Sequence, residues 1–137
     1  MQTSPTAADL DTLAALLREA ARVEIMPRFR TSTSTAKAVG SLVTDADLGV
    51  QRRLTTALAE RWPAVALLGE EMDAAEQQRL LDAGGPLWCL DPLDGTSNFA
   101  SGFPGFCISL ALIRDGRTDL AVVLDPLRDC LLYTSPS

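Results

Sequence analysis

Two runs of four apolar residues, Val65-Ala66-Leu67-Leu68 and Leu87-Trp88-Cys89-Leu90, break off at acids. Gly69-Glu70-Glu71 follows the first, and Asp91-Pro92-Leu93-Asp94 follows the second. Runs this short and continuous read as buried strands, each delivering carboxylates at its C-terminal end. Helical spacing flanks them. Leu10, Leu13, Leu17 and Ala20 form an apolar stripe within Thr6–Met26, with Arg18, Glu19 and Arg22 on the polar side. Thr6 and Asp9 form a capping-box pattern, and Pro27 is predicted to stop or kink this helix. A second helix is predicted after Thr44, with Val50, Leu54, Leu58 and Trp62 buried and Pro63 at its end. Between the two, residues 30–41 read as a polar loop or loose hairpin. Asp73 with Glu76 opens a third, short helix, which Gly84-Gly85 closes. Phe106–Ile113 and Thr118–Leu124 read as a hairpin around Arg114-Asp115-Gly116-Arg117. The order helix, helix, strand, helix, strand, hairpin predicts an α/β (α+β) layered helix–sheet sandwich.

Composition narrows the chemistry. With 137 residues, 47% of them hydrophobic, the chain can bury a core. Eighteen acidic against twelve basic residues give a net charge of −6, which argues against binding a nucleic-acid backbone. No apolar run approaches the ~20 residues of a membrane span, and the first thirty residues lack a secretory signal pattern. The three cysteines, Cys89, Cys107 and Cys130, are odd in number and form no C-x-x-C pair, which fits a reducing cytoplasmic location. Cys89 and Cys107 lie in apolar strands and read as core. There is no histidine, so Ser-His-Asp and Cys-His catalysis and His-based metal sites are excluded from this chain. Any metal must sit on oxygen ligands, as Mg²⁺, Ca²⁺ or Mn²⁺ do.

The two acidic clusters carry the chemistry. Two carboxylates ~4 Å apart repel by about 4 kcal/mol at an effective dielectric of 20. Neither cluster contains a lysine or arginine, so a divalent cation is the attractive remedy. Asp94-Gly95-Thr96-Ser97-Asn98 reads as a turn into a helix start, whose free N–H groups suit a phosphate. Carboxylates for a cation, donors for phosphate and the Thr96 hydroxyl together point to metal-assisted phosphate-ester hydrolysis. An aspartyl nucleophile of the D-x-D-G-T type would need an acid where Pro92 stands. An EF-hand loop counted from Asp91 would need oxygen ligands where Leu93 and Gly102 stand, and there is no phosphate-binding G-x-x-x-x-G-K motif. Plainer readings exist for each residue. Asp47, three residues after Thr44, fits a capping-box carboxylate; Asp94-Gly95 is turn chemistry; Lys37, the only lysine, fits a solvated loop residue.

Leu90-Asp91-Pro92-Leu93-Asp94-Gly95-Thr96-Ser97-Asn98-Phe99, followed by Gly102-Phe103-Pro104, resembles the first signature of the inositol monophosphatase family. Lys37, Leu42-Val43-Thr44-Asp45-Ala46-Asp47 and Leu68-Gly69-Glu70-Glu71 precede it in the family's order, and Ser109-Leu110-Ala111 and Val122–Pro126 follow. The resemblance implies an inositol monophosphatase-like fold of which this is the N-terminal part, with a largely antiparallel sheet and flanking helices. It implies a Mg²⁺-dependent phosphomonoesterase using two or three ions, with Mn²⁺ as an alternative. Glu70, Asp91 and the backbone carbonyl of Leu93 would hold one ion, and Asp91 with Asp94 a second. Asp47 and Thr96 would position and deprotonate the attacking water, and Glu70, counted with them as catalytic, would also contact a third, weaker ion. The N–H groups of Gly95 and Thr96 would hold the phosphate, and Lys37 would sit on a mobile loop near the metals. The substrate would be a small phosphorylated metabolite such as inositol monophosphate. A 3′(2′),5′-bisphosphate nucleotide, histidinol phosphate or fructose bisphosphate are the alternatives, and an inactive fragment or acidic metal-binding module is the alternative of another class. The full-length parent is expected to be a homodimer. Family members run to about twice this length and carry a Trp-Asp signature whose aspartate completes the second metal site. Here Trp62 and Trp88 are followed by Pro63 and Cys89. Residues 1–129 are therefore expected to be an N-terminal metal-binding domain, and 130–137 a non-native or disordered tail.

Overall fold

The computed structural model describes residues 4–30, 36–69 and 72–134, without the side chains of 30 and 36–39. Helices α1 (Leu10–Ala20), α2 (Met26–Arg30) and α3 (Ala36–Arg61) precede strand β1 (Ala66–Leu68) and helix α4 (Ala74–Ala83). Strand β2 (Leu87–Asp94), the short helix α5 (Thr96–Ala100), then β3 (Cys107–Arg114), β4 (Arg117–Asp125) and β5 (Cys130–Thr134) complete the order. The strands form one sheet in sequence order, β1 parallel to β2 and the rest antiparallel.

Period-two burial along β2, β3 and β4 puts one face of the sheet under the helices. Trp88, Leu90, Ile108, Leu110, Leu112, Leu120, Val122 and Leu124 meet Leu13 and Leu17 of α1 and Val50, Leu54 and Leu58 of α3 in a single core. Trp62, at the end of α3, packs its ring 5.7 Å from that of Trp88. Cys89, Ser109, Ala111, Ala121 and Val123 line the other face and are half-buried, so Cys89, and Cys107 beside them, are not core residues.

The predicted hairpin forms, its two-residue turn made by Asp115 and Gly116, both at positive φ. The predicted third helix also forms, with Asp73 accepting from the Glu76 N–H at its start and left-handed Gly84 at its end. Four expectations change. Of the stop or kink expected at Pro27, the stop does not occur, and the winding continues to Arg30. A π turn over Ala21–Ile25 lies immediately upstream, and its wider winding accommodates a proline that cannot donate to the carbonyl of Val23. The second helix begins at Ala36 rather than after Thr44, so Lys37 lies in the first turn of α3 and not on a loop. Thr44 is accommodated inside that helix because its hydroxyl donates to the Gly40 carbonyl at 3.0 Å. Asp47 is consequently an interior helix residue and not a capping carboxylate. The second buried strand runs on through Pro92 to Asp94. Finally, Cys130–Thr134, expected in a disordered or non-native tail, pair with β4 as an edge strand; residues 135–137 lie outside the described residues.

Candidate metal and phosphate site

The site grows from an irregularity in β2. Pro92 has no N–H for the sheet ladder, and the β2–β3 register shifts between Asp91 and Asp94. The shift leaves Asp91 half-buried on the open face of the sheet, buries Pro92 and Leu93, and carries Asp94 to the exposed end of the strand. The backbone N–H of Leu93 lies near the Asp91 carboxylate across the proline. Burial, and then the charge of Asp94, raise the Asp91 carboxyl above the ordinary aspartate value of 3.8, against the lowering effect of that N–H. Among the described residues no ion pair includes either aspartate. The two acids repel, as the sequence implied.

Gly95 turns the chain from Asp94 into α5. Its φ is +89°, and a Cβ there would lie 2.5 Å from the carbonyl oxygen of Gly105. Only glycine fits both demands. α5 starts without a side-chain cap, so the first N–H groups of the helix, beginning at Thr96, lack intrahelical partners. Two devices hold this loop. The Asn98 amide donates to the Gly105 carbonyl at 2.8 Å, and the Phe103 N–H donates to the Asn98 carbonyl at 2.8 Å. Beneath them Phe99 and Phe106 stack with Phe29 of α2, ring centroids 5.0–5.6 Å apart. Sequence reasoning named Asn98 and Phe99 only as motif letters. The signal that could have exposed their task is the pair of glycines, Gly95 and Gly105, that must pass within contact distance.

Cys107, opposite Asp94 in register, places its Sγ 4.0 Å from Asp94 Oδ2. Burial, and the charges of Asp94, Asp91 and Asp125, push its thiol up, so it stays protonated at neutral pH. Asp125 is a nearby acid already committed elsewhere: its Oδ1 accepts the N–H groups of Leu127 and Arg128 in the turn after β4.

A cavity of about 330 Å³ on the open face connects the two strand ends, lined by Gly69, Gln77, Asp91 and Ser109 among others. The structure thus brings together Asp91, Asp94, Gly95 and Thr96, and points the end of β1 at the same cavity. Asp47 is half-buried on α3, one turn before Gln51, whose amide lies against Gly69. Glu70 and Glu71, and the side chain of Lys37, lie outside the described residues. Among the described residues no three acidic, cysteine or histidine side chains converge tightly enough to enclose an ion. The carboxylate oxygens of Asp91 and Asp94, in no ion pair among the described residues, are hard donors that suit Mg²⁺ or Mn²⁺.

A five-stranded, mostly antiparallel sheet covered by helices on one face, with an acidic strand end running into a glycine-started helix, defines a layered α/β protein. The Inositol monophosphatase family model matches residues 5–136, and the chain belongs to that family. Among its relatives, the Nus factor SuhB of Xylella fastidiosa is 37% identical over 91 residues, 66% of this chain and 31% of that protein. Inositol monophosphatase 1 of Bos taurus is 32% identical over 119 residues, 87% of this chain and 40% of that protein. The solved structure of the Thermotoga maritima IMPase superimposes with a TM-score of 0.72 at 27% identity, covering 95% of this chain and 49% of that one. The chain therefore spans less than half the length of these relatives.

Proposed function

We propose that the chain carries the metal- and phosphate-binding part of a Mg²⁺-dependent phosphomonoesterase acting on a small phosphorylated metabolite, inositol monophosphate foremost. The observation that supports this most is the repelling Asp91/Asp94 pair feeding directly into the Gly95–Thr96 helix start. Asp91, Asp94, the Leu93 carbonyl and Glu70 would hold the ions. The bound cation supplies positive charge to the phosphate oxygens and the reacting water. The chain's own groups do the rest. Donors at Gly95 and Thr96 orient the phosphate, and the Thr96 hydroxyl aligns a water for direct attack on phosphorus. Asp47 takes that water's proton as the P–O bond to the leaving alcohol breaks, and the departing alkoxide is protonated from solvent water. Pro92 stands where a covalent aspartyl nucleophile would be needed, which favours direct attack over a phospho-enzyme. The same reading takes the whole protein as a cytoplasmic homodimer.

The test is Mg²⁺-dependent phosphate release from inositol monophosphate, a 3′-phosphoadenosine-type nucleotide, histidinol phosphate and fructose bisphosphate. It is run on these 137 residues and on a polypeptide extended to the relatives' length. Slight turnover by the short chain and strong turnover by the long one are expected, because no Trp-Asp pair occurs in this sequence. Cation binding without phosphate release at either length would favour an acidic metal-binding module instead. Strong turnover by the short chain would refute the need for a further aspartate.

A further inference from the structure

Two buried side-chain atoms have no hydrogen-bond partner among the described residues: Trp88 Nε1 and Gln51 Oε1. The indole belongs to a core residue packed ring against ring with Trp62. Gln51 is different, because it sits beside the proposed site. It is one turn after Asp47 on α3, so the two residues share a helix face. Its Nε2 lies 2.7 Å from where a Cβ on Gly69 would be. The carboxamide therefore fills the space that any other residue at position 69 would need. Gln77 of α4 donates to the carbonyls of Gly69 and Met72, at 3.0 and 3.3 Å. Two glutamines thus meet Gly69 at the end of β1, and both Gly69 and Gln77 line the cavity that Asp91 lines. A buried acceptor without a donor costs about 1–3 kcal/mol, a cost that folds retain mainly where the group has a second task. A neutral amide also suits the place. A carboxylate at position 51 would set a like charge one turn from Asp47.

We propose that Gln51 is a positioning residue of the site: wedged against Gly69, its carboxamide fixes the last described residue after β1 on the rim of the Asp91 cavity. This rests on the metal reading above, since Glu70 follows Gly69 directly. Gly69 has no positive φ, so Gly69→Ala tests contact with Gln51 rather than backbone strain.

The experiment compares wild type, Gln51→Ala, Gly69→Ala and the double variant. Three quantities are read: Mg²⁺ affinity by calorimetry, the thermal midpoint, and amide exchange of Met72, whose N–H donates to the Gly69 carbonyl. Gln51→Ala should weaken Mg²⁺ binding about tenfold, in the range typical of groups that orient ligands, and speed Met72 exchange, with little change in midpoint. Gly69→Ala should act in the same direction alone and add almost nothing in the double variant, because the one neighbour it would crowd has gone. A lower midpoint with unchanged affinity and exchange, or additive effects in the double variant, would overturn the proposal. Met72 exchange needs no cation. Wild type that binds no Mg²⁺ would therefore sink the metal reading, while exchange and additivity still decide the wedge.

Discussion

Glu24 and Asp91 are both half-buried carboxylates, and their surroundings push them in opposite directions. Burial by itself would raise the Glu24 carboxyl, but Arg28 and Arg53 overcome it and hold the group below the ordinary value of 4.5. Arg28 Nη1 donates at 3.0 Å, and Arg53 donates through Nη2 and Nε at 3.0 and 3.1 Å. Gly49 of α3 makes the room, since a Cβ there would lie 2.3 Å from Glu24 Oε1. This knot ties the π turn, α2 and α3 together. At Asp91 burial raises the carboxyl, Asp94 raises it further, and only the Leu93 N–H opposes them. The chain can neutralise a half-buried acid with arginines when the acid is structural. At the end of β2 it does not, and the unbalanced charge is what a cation or proton from outside would answer.

Removing the charge at Asp91 should therefore weaken cation binding more than the loss of any acid outside the Asp91/Asp94 pair. A unit charge near an ion contributes about 4 kcal/mol at ~4 Å and an effective dielectric of 20, and each 1.4 kcal/mol is a factor of ten. Asp91→Asn should weaken Mg²⁺ binding by roughly a thousandfold on that order-of-magnitude basis. Glu71→Gln should cost far less, and Glu24→Gln nothing. Calorimetric titration of the three variants checks the order, and equal losses at Asp91 and Glu71 would remove Asp91 from the ligand set.

Stability measured in a chelator should reverse the ranking. Glu24→Gln leaves Arg28 and Arg53 facing a neutral amide. Discounted for the 31% and 42% exposure of the arginine side chains, the loss is about 1–2 kcal/mol. For a chain of this size that lowers the thermal midpoint by roughly 5 °C. Asp91→Asn removes a repulsion and should raise the midpoint slightly. A drop for both variants would mean that Asp91 has an attractive partner, and the contrast between the two acids would collapse.

The part of this contrast visible in the sequence is uneven, for physical reasons. Strong local signals came through: the leucine stripe of α1, the Asp73 cap and Gly84 stop of α4, and the Asp115-Gly116 turn each depend on neighbours a few residues away. So did the Asp94–Asn98 turn into α5, because glycine enters the left-handed region at Gly95 without steric cost. Residues 36–44 misled, since their Ser, Thr and Gly content favours a loop until Thr44 finds a carbonyl within its own helix. Pro27 left a stop and a kink equally open, because a π turn is a property of the packed helix and has no letter of its own. The Glu24 knot was not visible at all. Arg53 and Gly49 reach Glu24 only after α3 folds back across the π turn, a contact spanning 29 residues. The wedge of Gln51 on Gly69 was hidden for the same reason.

The pH dependence of stability, again in chelator, should show the finest trace of the two environments. Glu24 has a lowered carboxyl, so its stabilisation is present above the ordinary glutamate value and is lost as pH falls through the lowered one. The gap between wild type and Glu24→Gln should close at acid pH. Asp91 has a raised carboxyl, so its contribution is fully present below the ordinary aspartate value of 3.8 and is lost as pH rises through the raised one. The gap between wild type and Asp91→Asn should therefore open in the other direction, with the variant gaining on wild type as pH climbs. Urea unfolding between about pH 3 and 7 reads both gaps. Added Mg²⁺ supplies a reversal, because an ion that binds only the deprotonated pair stabilises wild type increasingly as the carboxyls ionise. If Mg²⁺ leaves the Asp91 gap unchanged at neutral pH, the acids at the end of β2 repel one another without serving as ligands.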